Sequence, residues 1–181
     1  MRRGSRGFSL PEMLVVVAIL MIMSAVAVIR MRQSITLLDA DKAADQVAAE
    51  LRYARQVALD NRRNVLVEFI SPNQIKITRQ DNPDPTVLYD ATLPAGYIFG
   101  LPGGLGDTPE AYGNANPVNF NSGNNGTFRG DGIFTDAAGL VMNGTVFTIS
   151  GGNNTSRAIT LAGATGRIKI YAAAGGSWVT R

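Results

Sequence analysis

Apolar residues fill the chain from Pro11 to Ile29 almost without a break, interrupted only by Glu12 near the start of the run and by Ser24. At about 1.5 Å per helical residue the run crosses most of a hydrocarbon core, for which about 20 residues are usually needed. It reads as a membrane-inserted helix. After Arg30 and Arg32 the apolar positions thin to Leu37, Ala40, Ala44, Val47, Leu51, Ala54 and Ala58, spaced by threes and fours. Asp39, Asp41, Lys42, Asp45, Glu50, Arg52 and Arg55 mostly fill the other face. No glycine or proline occurs in residues 12–60. The pattern therefore predicts one helix of roughly 75 Å, its first half in membrane or filament core and its second half packed on a globular head. A coiled-coil stalk fits less well, because the second half is short, rich in alanine and places few charges to pair strands.

The period changes to two beyond Asn61-Arg62-Arg63. Val65, Val67 and Phe69 alternate within 64–70, Ser71-Pro72-Asn73 makes a turn, and Ile75 and Ile77 alternate with Lys76 and Thr78 within 74–80, which predicts a hairpin. Residues 81–85 then turn the chain into a strand over 86–93, with a further short one over 96–99. From 100 to 127 glycine, asparagine and proline dominate and no period holds, so a flexible loop is expected there, functional or peripheral. Order returns at 128–134, followed by a turn at Thr135-Asp136-Ala137-Ala138-Gly139. Strands are expected at 145–150, 157–162 and 167–173, joined by Gly151-Gly152-Asn153-Asn154 and Gly163-Ala164-Thr165-Gly166. The series predicts an α+β fold: a long N-terminal helix, apolar half then amphipathic half, packed on an antiparallel β-sheet head.

Composition narrows the chemistry. The chain has no histidine and no cysteine, which excludes His-based triads, zinc–histidine sites, thiol chemistry and disulfide staples. Carboxylate pairs such as Asp131 with Asp136 exist, but acid–base work also needs a cleft and a shifted pKa, so no catalytic residue is expected and the chain is not read as an enzyme. Asp107, Glu110 and nearby asparagines could offer oxygen ligands to calcium, yet no loop carries regularly spaced carboxylates, and a solvated insertion without metal or cofactor is the reading adopted. The formal charge is +3, but Arg2, Arg3 and Arg6 precede the apolar run, and without them the side chains sum to zero. Global basicity is thus no argument for nucleic-acid binding.

A secretory signal peptide would have an apolar core of about 7 to 15 residues and a small-x-small cleavage site beyond it. Here the run is longer and continues into helical rhythm. A plain anchor leaves Glu12 unexplained, since an acid deep in a spanning helix costs about 2.5–3.5 kcal/mol on insertion scales. The basic leader with Gly7-Phe8-Ser9-Leu10-Pro11-Glu12 and the apolar helix after it resembles the prepilin signature of type IV pilins and type II secretion pseudopilins. That resemblance implies cleavage by a prepilin peptidase between Gly7 and Phe8, N-methylation of the new Phe8 amine, and Glu12 as an assembly residue. Pro11 agrees with a chain starting at Phe8, because its missing N–H is harmless only in a first helical turn. The Phe8 ammonium and Glu12 carboxylate would each lower the cost of burying the other, in the family a link between neighbouring subunits.

Ile133-Phe134-Thr135-Asp136-Ala137-Ala138-Gly139, then residues 144–149, 157–161 and Thr165-Gly166-Arg167-Ile168-Lys169-Ile170, resemble the C-terminal half of the GspH/FimT family of minor pseudopilins. Residues 100–127 match least. The resemblance implies a pilin-like lollipop: leader 1–7, transmembrane and assembly helix 8–30, amphipathic half 31–62 and β-rich head 63–181. Many major pilins have a proline well inside the apolar segment; its absence here favours a minor pilin or pseudopilin. Implied partners are other pilin or pseudopilin subunits, the prepilin peptidase, an inner-membrane assembly platform with its ATPase, and the membrane before assembly. The implied location is the bacterial inner membrane, single-pass with the head outside the cytoplasm, then a periplasmic pseudopilus or a surface pilus. Type II secretion, type IV pilus and competence fibres share this N-terminal chemistry.

Some FimT-type pilins capture DNA through a basic Gly-Arg-x-Arg motif, matched here by Gly166, Arg167, Ile168 and Lys169 with lysine in the last place. Arg167 and Lys169 would share one strand face, and Arg157, Arg129 and Arg181 are candidates to join them. From residue 128 on there are five basic and two acidic residues, a local +3. A polar strand face in water is the favoured reading of the same residues.

Overall fold

The computed structural model describes residues 9–120 and 123–181, without the side chains of residues 29 and 32–34. One helix, α1, spans Leu10–Asn61 over 52 residues, the unbroken element expected where glycine and proline are absent. Two compact units divide the chain, one ending at Thr36 and the other Leu37–Arg181. In the first, Leu10–Val28 has a mean hydropathy of 2.4 and is long and apolar enough to cross a membrane. The Ser24 hydroxyl donates to the Leu20 carbonyl at 2.7 Å, so the polar group in this span is satisfied within its own helix.

In the second unit α1 leads into short strands: β1 (Val65–Ile70), β2 (Gln74–Arg79), β3 (Thr86–Thr92), β4 (Ile98–Phe99), β5 (Val118–Phe120), β6 (Asn125–Phe128), β7 (Phe134–Thr135), β8 (Gly144–Ile149), β9 (Arg157–Ala162), β10 (Arg167–Ala174) and β11 (Ser177–Thr180). They form two antiparallel sheets. One runs β3-β2-β1-β6-β7; the other runs β11-β10-β9-β8-β4, with β5 also paired to β8. Val65, Val67, Phe69, Ile75 and Ile77 from the first sheet and Val146, Ile159 and Leu161 from the second enclose a stripe of α1 made of Ala40, Ala43, Ala44, Val47, Ala48, Leu51, Ala54 and Ala58. Alanine supplies six of the eight helix positions, and the sheets supply most of the bulk. The predicted stripe holds from Ala40 to Ala58, whereas Leu37 is exposed.

The second sheet is buried on both faces. Phe147, Ala158, Tyr171, Ala173 and Trp178 form a second cluster on the side away from the main core, and Leu105 packs on it. The indole of Trp178 donates to the Gly106 carbonyl at 2.8 Å. Within the same loop, Asp107 accepts from the amides of Thr108 at 2.7 Å and Gly113 at 2.8 Å. Residues 100–117 are therefore tied to the sheet and to themselves.

Two strands, β5 and β6, lie inside the segment 100–127 that the sequence reads as loop. They are too short, and too rich in asparagine and glycine, to show a period, and their partners β8 and β1 are far along the chain. The C-terminal β11 pairs with β10 across Gly175-Gly176, both at positive φ, a hairpin signal the sequence reading did not use.

Candidate functional site

Gly7 and Phe8 lie outside the described residues. Ser9 precedes the first helical residue, and Glu12 stands three positions on, in the first turn of α1. The Glu12 carboxylate accepts from the Ser9 amide at 3.4 Å and from its hydroxyl at 3.5 Å. These are long contacts with the arrangement of a capping box, in which an acid at the third helical position satisfies an amide that the helix leaves free. The Ser-x-x-Glu spacing ahead of an apolar run is the sequence signal for it. Glu12 thus has a local role besides any pairing with an amine.

The second sheet separates the candidate basic residues. In the β9–β10 register Arg157 stands opposite Ala172, and Lys169 opposite Thr160, so Arg157 shares a face with Ile159, Ile168 and Ile170 while Arg167 and Lys169 project from the other. Arg157 is 4% exposed. Its Nε donates to Asp41 of α1 at 2.8 Å and its Nη1 to the carbonyls of Asn154 and Ser156 at 3.0 and 2.9 Å. It clamps helix to sheet and is not presented to solvent.

Lys169 donates to Glu110 at 2.6 Å, and the Tyr171 hydroxyl donates to the same carboxylate oxygen at 2.5 Å. Burial pushes the Glu110 carboxyl up, but these two hydrogen bonds outweigh it and hold the group below its ordinary value. The same contacts raise Lys169. Arg129 pairs with Asp131 at 3.2 Å, and Arg181 with Asp45 at 2.9 Å. Of the five basic residues after residue 127, Arg167 alone makes no ion pair among the described residues. The local +3 is cancelled largely by Asp41 and Glu110, which lie 116 and 59 residues from their partners and carry no sequence signal of the pairing.

Gly166 of the basic motif has a role of its own. Its φ is +64°, and a Cβ there would stand 2.2 Å from Nε of Arg55, which donates to the Gly132 carbonyl at 3.1 Å. Arg52, Lys169 and Arg181, with Asp45, line an open groove of about 360 Å³. Asp107 and Glu110, the oxygen donors weighed for calcium, serve the loop amides and Lys169 respectively. Among the described residues no three acidic side chains gather to hold a metal ion.

The family described as the prokaryotic N-terminal methylation motif matches residues 2–28. None of the curated proteins compared with the chain matches it. The fold is similar to that of the type IV minor pilin FimU of Pseudomonas aeruginosa strain PAO1 in two crystal forms. One has 18% identity and a TM-score of 0.48, over 71% of this chain and 84% of that one. The other has 17% identity and a TM-score of 0.48, over 72% and 90%. The chain thus joins a prokaryotic N-terminal methylation motif, at the start of an apolar helix, to an α+β head.

Proposed function

We propose that the chain is a structural subunit, a minor pilin or pseudopilin of the GspH/FimT kind, of a type IV pilus or a type II secretion pseudopilus. A prepilin peptidase cuts it between Gly7 and Phe8, Phe8 is N-methylated, and α1 anchors it in the inner membrane, head outside the cytoplasm, until an assembly platform adds it to a fibre. The observation that carries this reading is the methylation motif at residues 2–28 joined to one helix that holds an acid in the first turn of an apolar span. At about 25 cal/mol per Å2, a few hundred Å2 of apolar contact per neighbour supplies several kcal/mol before the entropy of association is subtracted. Mass spectrometry of the cellular protein is expected to find N-methylated Phe8 as the first residue. An intact Met1, or a cut beyond Ile29, would refute the proposal.

DNA capture is the second reading, and the ion pairs weaken it: Arg157 is buried, Lys169 is occupied by Glu110 and Arg129 is paired with Asp131, which leaves Arg167 of the four candidates. Duplex-DNA retention by the full chain in detergent is therefore expected to be unchanged in the double variant Arg167→Ala, Lys169→Ala. If retention instead falls, with the slope of log affinity against log salt shallower by about two, the two side chains are phosphate contacts and DNA capture is restored.

A further inference from the structure

Away from the N-terminal segment and the basic strand, Gln46, Ala49, Glu50 and Tyr53 of α1 face Tyr89 of β3 across an open cavity of about 340 Å³. That is the small end of the range for ligand sites, about 300–1,000 Å³. Glu50 is 5% exposed. Its Oε1 accepts from the Gln46 side-chain amide at 2.9 Å, and that amide also donates to the Thr92 carbonyl at 3.2 Å. Its Oε2 is shielded from water and has no hydrogen-bond partner within 3.5 Å. Burial raises the carboxyl above its ordinary value, outweighing the Gln46 amide and the Tyr89 hydroxyl, both of which favour the charged form.

A buried acceptor without a donor costs about 1–3 kcal/mol, and more when charged, so a donor entering here removes a standing penalty. None of the lining residues is basic, and two are tyrosines, whose ring faces attract cations. Tyr53 is 45% exposed, which leaves the mouth open to solvent. An ammonium or guanidinium in the cavity brings the opposite charge and, once the carboxylate turns to uncover Oε2, the missing donor; its bond to a carboxylate is roughly twice as strong as a neutral one. An anion would meet the carboxylate, and a purely apolar ligand would leave Oε2 as it is.

We propose that this cavity is a binding site for a primary alkylammonium or alkylguanidinium group, with Glu50 as its counter-ion and the Tyr53 and Tyr89 rings as its walls. The group reaches the cavity either as a free amine or as a basic side chain of a second copy of the chain. The full chain in detergent micelles is titrated calorimetrically with n-butylammonium, n-butylguanidinium and n-butanol. Saturable binding of both cations is expected, at least tenfold tighter than n-butanol, with a loss of tenfold or more in Glu50→Gln, which keeps the shape and the Gln46 contact. Tyr53→Leu, at an exposed position, is expected to weaken binding several-fold. Dilution of the protein separates the sources: affinity for the probe rises on dilution if a second copy fills the cavity and stays constant if a free amine does. Equal affinity in wild type and Glu50→Gln, or no saturable binding of either cation across the dilution series, overturns the assignment.

Discussion

Glu12→Ala is expected to yield a chain that is cut and methylated normally but recovered in fibres at no more than a tenth of the wild-type level. On the proposed function, cleavage would act on the Gly7–Phe8 bond, before Glu12, whereas fibre entry would bury whatever charge the new N-terminus carries. Breaking a buried charge pair by removing one partner costs about 3–5 kcal/mol, and tenfold in an equilibrium is only about 1.4 kcal/mol. The contacts of Glu12 with the Ser9 amide and hydroxyl offer a competing explanation, in which the side chain merely starts α1. Glu12→Gln separates the two, because glutamine serves in a capping box but carries no charge. The glutamine variant is expected to fail as badly as the alanine one. Fibre incorporation is read from sheared fractions and processing from intact mass; normal incorporation of Glu12→Gln would reduce Glu12 to a helix-starting residue.

Asp41→Ala is expected to be the most damaging single change in the α1–sheet contact. It strands the Arg157 guanidinium, whose side chain is 5% exposed, without its carboxylate, at a cost of about 3–5 kcal/mol. For a chain of this size that lowers Tm by roughly 6–20 °C, at about 2–4 °C per kcal/mol. Arg157→Met should cost less, about 1–3 kcal/mol from the lost carbonyl hydrogen bonds, since Asp41 keeps Arg181 at 3.7 Å and more access to water. The double variant should melt above Asp41→Ala alone, because removing both partners also removes the stranded charge. Thermal melting followed by the near-ultraviolet signal of Trp178 measures all three. A reversed order of the single variants would mean that Arg157 is held by its carbonyl partners and not by Asp41.

Local chemistry was legible in the sequence and long-range pairing was not. The stripe from Ala40 to Ala58 and the hairpin around Ser71-Pro72-Asn73 could be read because each shows a period within one element. Strands β5 and β6 could not, since three or four residues among glycines and asparagines carry no period and their hydrogen bonds go to β8 and β1. Arg157 read as a surface cation because an arginine on an alternating strand usually points to water. Which face it took depended on the helix-side neighbours Ile159 and Leu161, and its partner Asp41 sits 116 residues away. Glu110 read as one acid in a solvated loop, because nothing near it in sequence indicates that the loop folds onto β10. Glu50 looked like an ordinary polar-face residue of an amphipathic helix, and only the approach of β3 encloses it.

The division of volume between helix and sheets bears on how such a head can diverge. The rings of Phe99, Phe69, Phe120, Phe134 and Phe128 touch in series across the strands, so a change in one can be absorbed by the next. The alanines of α1 have less latitude, because Ala44 and Ala54 are wholly buried and an added carbon there has to displace packed core neighbours. Drift in the strands with constancy along that rail would let distant descendants keep one architecture after most of their shared letters are gone.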